Sequence, residues 1–322
     1  MDPDHPHHHD GSPADHGHEH FGPADATALA TRDGIRATWL SLGALTLTAG
    51  LQVVIYLLSG SVALLADTIH NFTDALTAIP LLIAFRLARE PPSRRYPYGY
   101  HRAEDIAGLI IVALILLSAL FAAWEAISRL RDPQPVTDIG WLLAAGIIGV
   151  AGNQLVAVYR IRVGRRIGSE ALVADGLHAR TDALTSLAVV VSALAAWAGL
   201  ERADPAIGLL IVVAIVATLI RAARAVLHRA LDGSDESTLT LIESVAAAVP
   251  GVEHVTEARA RWSGHRLLAE LAIDVDGSIP VDAGHAIAER VRSELLLEVP
   301  RLAEAVVHVD PHEHPSHHAT PH

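Results

Sequence analysis

The sequence predicts an α-helical membrane protein with six transmembrane helices, followed by a small α+β domain. Three observations carry this. Of 322 residues, 51% are hydrophobic and only 19% charged, where a soluble domain carries nearer a quarter charged; the mean hydropathy is +0.34. The apolar residues gather in six runs, each long enough for a bilayer core of about 30 Å. From residue 234 onward the pattern changes to shorter, partly alternating segments, with 14 acidic residues and 6 Arg between 234 and 311.

Residues 1–35 are polar, and seven of the first twenty are His (His5, His7, His8, His9, His16, His18 and His20). Such a segment cannot bury a core, so disorder is expected. It also lacks the basic start and immediate apolar run of a signal peptide. The membrane domain is expected over 36–233, with spans at 37–58, 61–86, 104–128, 139–159, 170–198 and 205–227. Arginines orient it. The loop after the second span holds Arg86, Arg89, Arg94, Arg95 and Arg102, and the loop after the fourth holds Arg160, Arg162, Arg165 and Arg166. The other side has Arg129, Arg131 and Arg202. The arginine-rich side reads as cytoplasmic, and both termini with it.

Residues 234–311 read as helix (235–248), strand (253–262), a tight turn at Ser263-Gly264, strand (266–275), helix (281–298) and strand (304–310). The alternation in 266–275 fits a strand with one buried face. An α-β-β-α-β order places helices on one face of a small sheet. Residues 312–322 form a second His-rich tail.

Composition excludes several chemistries. There is no Cys and no Lys, so disulfides, thiolate ligands and P-loop nucleotide binding are out. No H-E-x-x-H is present. A net charge of −12 argues against a nucleic-acid partner. Twenty His with abundant Asp point instead to divalent metal.

The second and fifth spans carry a duplication. Residues 66–77 read ADTIHNFTDALT and 174–185 read ADGLHARTDALT, identical at eight of twelve positions. Each copy spaces Asp, His and Asp by three and four: Asp67, His70, Asp74 and Asp175, His178, Asp182. Residues i and i+4 share a helix face. If the two helices pack, two imidazoles and two carboxylates converge, a set that suits tetrahedral zinc(II). Ionisable groups inside a membrane are costly and need a function. Asp67 and Asp175 either orient the imidazoles from outside the ligand set or stabilise the ends of their helices.

With HNFTD, HARTD, YPYGYHRAEDIAGL before the third span and VVHVDP near the end, the chain resembles the cation diffusion facilitator family of metal–proton antiporters, over about 36–311. The resemblance implies a transport site of His70, Asp74, His178 and Asp182 with zinc favoured, and a bacterial inner-membrane location. It also implies a ferredoxin-like, metallochaperone-like tail domain that dimerises. His285, His308 and Asp310 match the family's tail-domain ligand positions; another aligns with Thr256, near His254. A charge interlock is implied between Arg102 and Asp232. Where members often place a His in the loop before the third span, this chain has Tyr100; His101 follows it and reads as a solvated loop residue. Cargo other than zinc (cadmium, cobalt, iron or manganese) and a membrane-tethered zinc sensor are the alternative readings.

Overall fold

The computed structural model describes residues 23–59, 78–131, 139–198 and 204–312. Its helices are α1 (Pro23–Ser59), α2 (Ala78–Leu87), α3 (Ala103–Arg131), α4 (Ile139–Ile167), α5 (Glu170–Trp197) and α6 (Asp204–Ala230). The tail domain follows as α7 (Glu236–Ala247), β1 (His254–Ser263), β2 (Arg266–Val275), α8 (Val281–Glu298) and β3 (Leu302–Pro311). The His-rich segments 1–22 and 313–322 lie outside the described residues, as does the first copy of the repeated motif.

Two boundaries depart from the sequence expectation. Helix α1 begins at Pro23, so 23–35 are helical rather than disordered. Tertiary packing supplies the reason. Ala30, Ile35 and Ala37 join a cluster with Leu81, Phe85, Ala107 and Leu172. The second departure is α4, which continues to Ile167. The arginines expected in a loop there are helical, and Arg160 is buried rather than a solvated positive charge. Gly168, at φ +79°, ends the helix, and the Ser169 N–H returns to the Gly164 carbonyl at 2.9 Å. Ser169 then caps α5, its Oγ accepting the Leu172 N–H at 3.1 Å. This two-residue hairpin packs α4 closely on α5.

Among the described helices, four are long and apolar enough to span a bilayer: 28–58, 103–128, 139–167 and 206–230. Their outer faces expose Leu57, Leu117, Trp124, Leu155, Leu210 and Val213. A water-facing bundle could not carry such a belt; it is the surface expected against lipid chains. Helix α5, which carries Asp175, His178 and Asp182, is not among these four.

In the tail domain, β1 pairs antiparallel with β2 (His254↔Asp274 to Ser263↔Arg266). β2 pairs parallel with β3, with Ala272↔His308 and Asp274↔Asp310. The parallel pair needs a crossover, which α8 provides. Leu267, Ala269, Leu271, Ile273 and Val275, alternate residues of β2, bury against Ile242 and Ala246 of α7 and Ile287, Val291 and Leu295 of α8.

Candidate metal centre

Helix α5 presents Asp175, His178 and Asp182 at i, i+3 and i+7, one stripe of a helix. All three are buried at the centre of the bundle. His178 Nδ1 stands 3.9 Å from Asp182 Oδ1. Thr181 and Thr185 turn their hydroxyls back onto the carbonyls of His178 and Asp182, at 2.7 and 2.8 Å, which removes two hydroxyls from competition for those side chains. Asp67, His70 and Asp74 lie outside the described residues, so the structure places one half of the expected ligand set.

Asp175 has a partner that the sequence did not reveal. Arg160 Nη1 of α4 lies 3.0 Å from Asp175 Oδ2, with the two side chains 1% and 0% exposed. Nothing in a single sequence couples positions 160 and 175. A run of four arginines at a span's end looks like a positive-inside signal, and Arg162, Arg165 and Arg166 are indeed exposed.

A second polar cluster joins the membrane domain to the tail. The β1–β2 turn inserts between α1 and α3. Gly264, at φ +60°, donates its N–H to Asp105 Oδ2 at 3.2 Å. The next residue, His265, is buried with Nδ1 2.8 Å from Glu104 Oε2 and Nε2 3.3 Å from Thr31 Oγ1. His101 stands edge-on to it, ring centroids 6.5 Å apart. His101 is therefore not the solvated residue expected. Its Nδ1 is enclosed without a hydrogen-bond partner among the described residues. Burial, then the charges of Arg266 and His265, push its pKa down to about 4 against the pull of Glu104.

Three arginines complete this seam. Arg102 pairs with Asp232, which sits in the left-handed region at φ 62° where α6 gives way to the tail. Arg229 lies over the Trp262 ring at 4.1 Å, 3.5 Å from Glu170, and donates to the Gly168 carbonyl. Arg301 donates to the Arg165 carbonyl at 2.8 Å. Of these, only the Arg102–Asp232 pair is implied by the family resemblance.

In the tail itself, His308 Nε2 and Asp310 Oδ1 are 3.0 Å apart on one face of β3, and His285 is exposed on α8. Thr256 bonds the Ala272 carbonyl at 3.2 Å. His254 stacks near His312, centroids 5.1 Å apart. Among the described residues of one chain, no three His, Asp or Glu gather as a metal-holding group.

The lipid-facing helical bundle with a buried polar stripe, docked on a small α+β domain, is the architecture of an integral-membrane protein. Residues 38–229 match the cation efflux transmembrane domain, and 234–312 match the cation efflux protein cytoplasmic domain. The chain belongs to the cation efflux family. It is similar to a probable cation efflux system protein of Mycobacterium tuberculosis, 52% identical over 303 residues (94% of this chain, 91% of that one). It is also similar to the cation-efflux pump FieF of Serratia proteamaculans, 29% identical over 265 residues (81% and 87%). The manganese efflux system protein MneS of Bacillus subtilis is 26% identical over 285 residues (88% and 97%).

Proposed function

We propose that this divalent cation efflux transporter exchanges zinc(II) for protons by alternating access, at a tetrahedral site formed by His70, Asp74, His178 and Asp182. The observation that carries this reading is the α5 half of the site: an imidazole and a carboxylate buried together on one face of a bundle helix. A tetrahedral zinc with bonds of about 2.0–2.1 Å sets its ligands roughly 3.3–3.5 Å apart. The 3.9 Å between His178 and Asp182 closes to that with a small side-chain rotation. Zinc takes neutral imidazole and ionised carboxylate, so its binding expels protons. Protons arriving from the acidic side then compete it off. Spans two and five run in opposite directions, which suits two half-sites that rock about one depth.

Six spans with both termini cytoplasmic in the bacterial inner membrane, and a homodimer joined through the tail domain, complete this reading. His285, His308 and Asp310 are the tail's metal donors, with the partner chain available to complete their site. Manganese is the competing cargo, favoured by the name of the Bacillus relative. Calorimetric titration of zinc into the detergent-solubilised chain, in buffers of different ionisation enthalpy, tests the site. The expected result is proton release on binding that His178→Ala reduces. Binding and proton release that His178→Ala leaves unchanged would refute it.

A further inference from the structure

Asp175 is the member of the α5 stripe that the proposed ligand set leaves out. It stands one turn from His178 on the same face. Side chains three positions apart on a helix have Cβ atoms only about 5–6 Å apart, so its carboxylate is within reach of an ion held by His178. The restraint comes from α4. Arg160 Nη1 is 3.0 Å from Asp175 Oδ2 with both side chains essentially inaccessible. Nε and Nη2 of Arg160 and both carboxylate oxygens of Asp175 have no hydrogen-bond partner among the described residues, so the 3.0 Å ion-pair contact is what ties Asp175 to α4. Gly176 permits the approach: a Cβ there would stand 3.0 Å from the Arg160 Cβ and 2.8 Å from Ile161 Cγ1.

We propose that Arg160 is a specificity-determining residue of the transport site: by holding Asp175 against α4, it withholds a third carboxylate from the ion. This rests on the two-imidazole, two-carboxylate reading above. A divalent ion with two carboxylates is electrically neutral, and so is the Arg160–Asp175 pair. The ion, its two carboxylate ligands and this pair together then add no net charge to a low-dielectric environment where charge is costly. A third carboxylate would add an oxygen donor and raise the coordination number. Oxygen-rich, higher-coordinate sites suit manganese, whereas four-coordinate sites with imidazole suit zinc. Releasing Asp175 therefore shifts preference from zinc toward manganese.

The test measures zinc flux and manganese flux separately, in proteoliposomes holding the full chain. The variants are Arg160→Gln, Arg160→Lys and the double Arg160→Gln/Asp175→Asn. Arg160→Gln raises the manganese-to-zinc flux ratio several-fold, and Arg160→Lys keeps the wild-type ratio. The double variant, with no third carboxylate to release, also keeps it. Equal loss of both fluxes in Arg160→Gln, in protein that elutes as a folded species, overturns the proposal and leaves Arg160 a structural residue. If Arg160→Gln does not fold, the double variant decides: a ratio that departs from wild type means Asp175 contributes to the ion already, and the proposal fails. Wild-type vesicles that carry neither metal refute the transport reading and this inference together. Wild-type flux with an unresponsive ratio refutes this inference alone.

Discussion

Replacing His265 with alanine should undock the β1–β2 turn from the membrane domain without unfolding either part. The substitution removes the donor 2.8 Å from Glu104 Oε2, in a pair whose side chains are each 2% exposed. Glu104 Oε1 has no hydrogen-bond partner among the described residues, so truncation leaves a buried carboxylate without its one hydrogen bond there. A hydrogen bond to a charged group contributes about 1.5–3 kcal/mol, and leaving a buried carboxylate without its partner costs at least as much. A central value near 3 kcal/mol corresponds to roughly a hundredfold rise in local opening. The reporter is the Gly264 amide, bonded to Asp105 at 3.2 Å. Its hydrogen exchange in the solubilised protein should speed by roughly that factor. Core amides of β2 should stay protected. Glu104→Gln in the same background should recover part of the loss, because the neutral amide costs less to bury. Gly264 exchange within about threefold of wild type, under half a unit on the tenfold-per-1.4 kcal/mol scale, would refute the claim that this pair holds the domains together.

Acidification should loosen the same seam. His101 has its pKa pushed down to about 4 in the docked state, by burial first and then by Arg266 and His265, whereas a freed His titrates near 6.5. The undocked state binds the proton more readily, so docking is strongest above about pH 6.5 and weakens as pH falls toward 4. Gly264 exchange, corrected for intrinsic rate, should rise between pH 7.5 and 5.5 and rise less steeply in His101→Phe; an unchanged slope in that variant contradicts the assignment. Arg229→Gln removes the contact with Trp262, a type that contributes about 0.5–2 kcal/mol; limited proteolysis should release the tail domain several-fold faster, and an unchanged rate would show the contact idle. Gly164→Ala places a Cβ 2.9 Å from the Val173 backbone nitrogen and 2.8 Å from Val173 Cγ2. Overpacking of this kind costs about 1–3 kcal/mol, so the melting temperature in detergent should fall; a wild-type value would mean the hairpin relaxes freely.

Local pattern and non-local partnership divide what the sequence could disclose. The tail domain was legible almost to the residue, because alternation over 266–275 and the helical pattern of 281–298 are local signals that burial then enforces. The motif stripe on α5 was legible too, since Asp175, His178 and Asp182 fall on one face by spacing alone. The partner of Asp175 was not, because Arg160 lies on another helix and resembles the exposed arginines beside it. His265 reads as an ordinary turn residue until a fold brings Glu104, 161 positions away, to 2.8 Å. The same contact explains His101, whose burial depends on the β1–β2 turn arriving. Residues 23–35 look too polar to be ordered, yet α1 extends through them because Ala30, Ile35 and Ala37 find Leu81 and Phe85 to pack against.

Zinc flux into proteoliposomes under an imposed pH gradient tests the central claim most directly. The account predicts gradient-driven zinc movement in the unmodified chain, near-complete loss in Asp182→Ala, and manganese carried more slowly than zinc. Gradient-independent flux, or full flux in Asp182→Ala, would contradict it.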